Sequence, residues 1–339
     1  MEISSLANNL LNPVILFFIF GVIAGMVRSN LAIPPQLAKF FSLYLLMAIG
    51  LKGGAAMAET GLSGAGALAI LAALIMAFIV PLYSFLLLRK RIAPYDAAAI
   101  AATYGSISAV TFIAAQQFLT SQGVEFGGHM TIAMVLMESP AIIMAVLLAS
   151  YVRTQAEKQK TVEDNGDDVP VSIAPISMKK VMHEAFTDGA HMLLIGSLII
   201  GFVTGADGKE ILSPFSVDIF MGFLAFFLLD MGLLVARQLR DARGELKPFI
   251  VAFSLIMPTI NAIIAMALAW SFGMSKGDTM LLMVLAASAS YIVVPAIVRY
   301  AIPEARPGIY FTMSIGFTFP FNIVVGIPLY FALLTYFWG

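Results

Sequence analysis

Long apolar runs alternate with short polar breaks along almost the whole chain. Arg, Asp, Pro and Gly clusters cut the apolar pattern into ten stretches: 10–28, 35–56, 66–89, 96–119, 128–152, 188–206, 215–236, 248–272, 279–302 and 307–337. A bilayer core needs about 20 mostly apolar residues per helix, and these stretches are of that order. The pattern predicts an all-α integral membrane protein with ten transmembrane helices. The first stretch lacks a basic lead and a small-residue cleavage site, so it reads as a retained helix rather than a signal peptide.

Composition agrees, since 60% of the 339 residues are hydrophobic and 12% are charged. Soluble domains run at about 45–50% apolar and about 25% charged. The net charge of −1 and the lack of a basic patch interleaved with aromatics argue against nucleic acid as a partner. There are no cysteines, and His129, His183 and His191 form no metal-type spacing, so no zinc site is expected. Walker, dinucleotide-binding and nucleophile-elbow motifs are missing. The chain therefore reads as a non-enzyme without cofactor, powered by an ion gradient.

The one long polar segment, 153–187, carries Glu163, Asp164, Asp167 and Asp168 between lysines. It reads as a flexible linker between a first five-helix repeat, 1–152, and a second, 188–339, with docking of a soluble regulator as the sharper alternative. Sixteen of the nineteen lysines and arginines fall on the linker's side, against Lys52, Lys209 and Lys276 on the other. Cytoplasmic loops carry the excess of such residues, so the linker is expected inside and both termini outside, in a bacterial-type plasma membrane. Five spans before the linker then make the halves inverted. Landmarks repeat between them: Asp96 with Asp278, Ser106 with Ser288, Ser108 with Ser290 and Gly50-Leu51 with Gly232-Leu233, all 182 positions apart. Pro140 and Pro320 match at 180. This is the pattern of an inverted-repeat transporter.

Polar groups inside the spans mark candidate chemistry. The fourth span holds Gly105, Ser106, Ser108 and Thr111; the ninth holds Ser288, Ala289 and Ser290, with Pro295 following. Gly105 weakens one helix and Pro295 breaks the other just upstream. Two helix N-termini facing each other would bind an anion, and freed carbonyls and hydroxyls such as Thr111 would suit sodium. Alternatively, Ser and Gly here only let helices pack closely. A carboxylate inside a span is a functional candidate. Glu138 could ligate a cation or carry a proton, with Thr318 and Asn322 offering neutral oxygens. Asp96 and Asp278 sit at helix starts, where carboxylates cap free N–H groups, and either could be a further cation ligand. Asp230 reads as an ion-pair partner of the 237–243 arginines or as a gating residue. Lys52 is expected to snorkel to the outer surface.

The motif Ala286-Ala287-Ser288-Ala289-Ser290-Tyr291-Ile292, with Pro295, Arg299 and Pro303-Glu304-Ala305, resembles the SbtA-type sodium-dependent bicarbonate transporter family. So does Gly316-Phe317-Thr318-Phe319-Pro320-Phe321-Asn322-Ile323 with Gly326-Ile327-Pro328-Leu329-Tyr330. The likeness is collinear through the first half at Ile49-Gly50-Leu51, Gly53-Gly54 and Gly105 to Ser108. The resemblance implies sodium-coupled bicarbonate import by two inverted repeats. It also implies a gate domain from spans 1, 2, 6 and 7, a core domain from spans 3–5 and 8–10, elevator motion and a homotrimer. A PII-like cytoplasmic regulator is a possible partner on the same ground. Carried over, Gly105, Ser106, Ser108, Ser288, Ala289 and Ser290 would hold bicarbonate. Asp96, Glu138, Thr318 and Asn322 would stand near sodium. The chain departs from the family pattern at Glu138, where the family has aspartate, and at Lys52, where it has serine. The alternative readings are a sodium-coupled carrier of another small organic anion, a cation/proton antiporter of similar architecture, and a membrane sensor signalling through the linker.

Overall fold

The computed structural model describes residues 11–61, 63–163, 183, 187, 189–242, 247–291 and 293–338. Among them every regular element is helical. The helices are α1 (Pro13–Met26), α2 (Pro35–Thr60), α3 (Gly64–Leu88), α4 (Pro94–Gly105), α5 (Ala109–Ser121), α6 (His129–Glu163) and α7 (Gly189–Ile211). A π-helical turn, Pro214–Asp218, leads into α8 (Phe220–Asp241), followed by α9 (Pro248–Ser271), α10 (Lys276–Ala287), α11 (Val293–Ala301) and α12 (Pro307–Trp338). Counting α4 with α5 as one stretch, eight helical segments among the described residues are long and apolar enough to cross a membrane. α1 is apolar but shorter, at 14 residues.

Helix starts follow from local chemistry. Proline stands first in α1, α2, α4, α9 and α12, where its missing N–H costs no helical bond. The Asn12, Ser63, Ser108 and Ser275 side chains accept backbone N–H bonds from Val14, Gly66, Thr111 and Asp278 at 2.9–3.2 Å. These caps satisfy donors that hydrocarbon could not.

Two helix pairs form one layer. α2 crosses α7 and α1 crosses α8 at backbone contact distance. A Cβ on Gly54 would lie 2.0 Å from the Leu198 carbonyl oxygen, and one on Gly232 would lie 2.2 Å from that of Phe18. With no hydrophobic drive between helices in lipid, such close small-residue crossings supply the packing. In the other layer α3 lies against α4 and α6, and α9 lies against α10, which also reaches α5 and the end of α12. Phe18 and Phe319 meet edge to face at 5.6 Å across the layers.

Three local features add to the expected pattern. First, α6 runs on through 153–163, so the first part of the expected linker is helix. Ala, Glu, Gln, Lys and Arg in this stretch are strong helix formers, and Arg153 anchors the extension by bonding Glu304 at 2.9 and 3.0 Å and the Ala301 carbonyl at 2.9 Å. Asp164, Asp167 and Asp168, and with them the expected regulator contacts, lie outside the described residues. Second, α12 widens to π-helical turns at Thr312–Thr318 and Asn322–Gly326, on either side of Pro320. Proline's ring clashes with the carbonyl four residues back, and a wider turn relieves that clash. Third, Lys52 packs its ammonium over the Phe220 ring, 4.4 Å from its centre.

α1 ends in a six-residue capping turn, with the Ser29 N–H bonding the Ala24 carbonyl at 2.9 Å and the Arg28 N–H that of Gly25 at 3.3 Å. Its left-handed position, φ 59°, is held by Arg28. Glycine is the ordinary occupant there, and an L-residue costs about 1–2 kcal/mol more.

The Arg153 tie also carries a pH dependence. Burial alone would raise the Glu304 carboxyl, but the Arg153 hydrogen bonds and charge hold it below the usual glutamate range. A depressed carboxyl stabilises the fold above its unfolded pKa, and that contribution is lost as pH falls through the folded value. We expect acidification to loosen residues 302–306, with faster amide exchange there, and Glu304→Gln to remove this acid-dependent component. The effect should be modest, because the Glu304 side chain is 32% exposed.

Candidate functional site

The fourth span breaks where Gly105 ends α4. A Cβ at Gly105 would meet the Pro81 ring at 2.7 Å, so only glycine lets α4 end this close to α3. Ser106 then turns extended, at φ −102° and ψ 179°. It is buried, and its hydroxyl has no hydrogen-bond partner among the described residues. Ser108 restarts the chain as the cap of α5. Its oxygen accepts from the Thr111 N–H at 3.2 Å and the Thr111 hydroxyl at 2.9 Å, and its own hydroxyl donates to the Tyr291 oxygen at 3.3 Å.

The ninth span breaks in the same way after Ala287. Ser288 is extended, and its hydroxyl donates back to the Val284 carbonyl at 2.6 Å. Ala289 is buried at 2% exposure. The Ser290 N–H donates to the Thr103 carbonyl at 2.9 Å, tying the two breaks together, and its hydroxyl oxygen accepts from the Val294 N–H at 3.4 Å. Carbonyls freed at the end of α10 are met by side-chain amides: Asn261 bonds Ala286 at 3.0 Å and Asn322 bonds Ala287 at 2.8 Å.

Between the two layers lies a cavity of about 40 Å³, several times the space one water requires. Ser108, Ala109 and Val110 from the start of α5 line it, as do Ser290 and Tyr291 just before α11. Leu45, Leu194 and Phe227 close the opposite wall. Two helix N-termini from different halves of the sequence thus face one space. The partial positive charge at helix N-termini suits an anion.

Glu138 also lines this cavity, and its carboxylate lies 2.5 Å from Nδ1 of His191 on α7. Both are buried, at 7% and 4% exposure. Sequence reasoning missed His191. The available signal was that a carboxylate inside a span seeks a partner, and His191 is the histidine that opens the next span.

The other residues assigned to sodium stand elsewhere. Asp96 accepts from the Arg306 backbone N–H at 2.8 Å and from its guanidinium at 2.6 and 3.0 Å. It sits ten residues before Ser106, about 15 Å along the helix. The Thr111 hydroxyl is committed to Ser108. Thr318 donates to the Ser254 carbonyl at 2.9 Å and receives the Tyr104 hydroxyl at 2.6 Å. The Asn322 oxygen receives the Tyr330 hydroxyl at 2.8 Å. Of the five, Glu138 alone lines the cavity. Nor do the two helix-start aspartates cap their own helices. Asp278 accepts from the Gly127 N–H at 2.8 Å and stands 3.2 Å from His129 Nε2.

The chain matches a protein-family model, described as the Na+-dependent bicarbonate transporter superfamily, over residues 13–335. No curated protein matches it.

Proposed function

The chain belongs to the Na+-dependent bicarbonate transporter superfamily, and from that premise we propose that it imports bicarbonate together with sodium. The observation that carries this reading is the pair of helix N-termini, α5 and α11, facing one cavity beside the Glu138 carboxylate. Bicarbonate is small, planar and singly charged, so donors from two opposed helix ends replace its water. Ser108 and Ser290 line that cavity; in this reading the Ser106 hydroxyl and the backbone around Gly105, Ser288 and Ala289, which do not line it, complete the anion side.

Glu138 supplies the need for a cation. Two like charges 4 Å apart repel by about 4 kcal/mol at an effective dielectric of 20. An anion beside Glu138 therefore requires a positive charge between them. Sodium supplies it in this reading, and the hydrogen bond between Glu138 and His191 Nδ1 holds the carboxylate when sodium is away. Asp96, Thr318 and Asn322 serve as ties that hold the broken helices.

Inverted repeats are supported by reciprocal contacts. Asp96 of the first half accepts the backbone N–H that leads into α12, and Asp278 of the second accepts the one that leads into α6, each at 2.8 Å. Gly54 on α2 packs on α7, while Gly232 on α8 packs on α1. On this reading α1 and α8 with α2 and α7 form the gate, the remaining helices form the core, and the cavity lies on the sliding surface. The ten spans, with α10 and α11 as the ninth, then sit in a bacterial plasma membrane with both termini outside. The homotrimer and a PII-like regulator rest on the family resemblance.

The unpartnered Ser106 hydroxyl gives a clean test. If it serves only the fold, Ser106→Ala removes a buried unsatisfied group and is neutral or stabilising. We expect unchanged thermal stability with bicarbonate affinity lowered roughly tenfold or more, the worth of a hydrogen bond to a charged group. Unchanged affinity for bicarbonate would remove Ser106 from the anion site.

A further inference from the structure

Away from the substrate cavity, a second pocket of about 520 Å³ opens where α1 ends against α8, and it is lined by Arg28, Arg237 and Arg240 with Ser29 and Asn30. Acidic neighbours leave it basic. Arg237 and Asp230 on the same helix interact through their charges, and Asp241 lies 3.9 Å from Arg240 Nε. The helix-terminal setting accounts for one arginine or another, since cations favour helix C-termini. It does not account for three around one hollow. Nor does it account for Arg28 in the left-handed position that glycine would hold without strain. Strain of this kind points to a side chain wanted at that place.

The pocket's mouth adjoins apolar surface. Met26 and Val27 are 61% and 71% exposed, and Phe20 and Ile23 continue the same exposed face of α1. Cationic groups above an apolar helix face match a ligand with a phosphate head and hydrocarbon tails. Basic pockets between membrane helices hold anionic head groups in this way. We propose that this pocket binds the phosphate of an anionic phospholipid, with its acyl chains along α1 and the three guanidinium groups around the head. Because it joins α1 to α8, the lipid clamps that helix pair, whatever the central cavity carries.

The test reconstitutes the full chain in nanodiscs of phosphatidylcholine with and without phosphatidylglycerol, then counts retained lipid by native mass spectrometry. Phosphatidylglycerol should be retained over phosphatidylcholine. Arg237→Gln and Arg240→Gln should each lower that preference roughly fivefold. Arg28→Gly is the decisive variant, because it relieves backbone strain. It should lose lipid preference while its melting temperature in phosphatidylcholine is no lower than the parent's. Equal retention of both lipids by the parent, or a preference unchanged in all three variants, would overturn the proposal. Displacement by inorganic phosphate would also overturn it, since the site would then be one for free phosphate.

Discussion

Glu138→Ala is expected to abolish sodium-driven bicarbonate uptake and to destabilise the protein. The substitution strands His191, which is 4% exposed, beside an empty position. Leaving a buried polar group without its hydrogen-bond partner costs about 1–3 kcal/mol. Glu138→Gln keeps a hydrogen bond to His191 without the charge, so it should be the milder variant for stability and still defective in transport. The double variant Glu138→Gln with His191→Gln separates the two roles, and thermal unfolding and uptake should be read side by side. Stability should largely recover, because two amide side chains can bond each other, while the sodium requirement stays raised. A Glu138→Gln protein with the parent's sodium dependence would place the carboxylate outside the ion site and leave it a structural partner of His191.

Gly54→Leu should be the most damaging single change away from the cavity. Its Cβ would lie 2.0 Å from the Leu198 carbonyl oxygen and 2.7 Å from the Phe202 nitrogen, both of them backbone atoms. No rotamer relieves such a clash, so α2 and α7 must part. Overpacking costs about 1–3 kcal/mol where side chains can shift, and more where they cannot. The expected result is loss of monodisperse protein on extraction into detergent. Gly222→Ala is the matched control, since open space surrounds that position on α8. It should be neutral or stabilising by up to about 1 kcal/mol through helix propensity. Equal damage from both substitutions would contradict the close-crossing account of this layer.

What the sequence revealed was the chemistry that acts locally. Gly105 and Pro295 announced breaks in two spans, and helices do end at Gly105 and Ala287. Asp96 and Asp278 announced two helix starts. Their partners, Arg306 and Gly127, are 210 and 151 residues away, and no local rule reaches that far. Polar composition disguised the extension of α6, because the residues that make a linker soluble are also good helix formers. The hydroxyl and amide groups of Thr318 and Asn322 were legible as buried polar groups. Their use in meeting freed carbonyls became clear only once the helices were packed. His191 was hidden for a similar reason: a single histidine at the start of a span has an ordinary sequence context until Glu138 stands beside it.

The central claim is coupling, and it is tested most directly by uptake of radiolabelled bicarbonate into proteoliposomes with and without an inward sodium gradient. The account predicts uptake that requires sodium and vanishes when potassium replaces it. Uptake equal in both conditions, by folded and inserted protein, would contradict it.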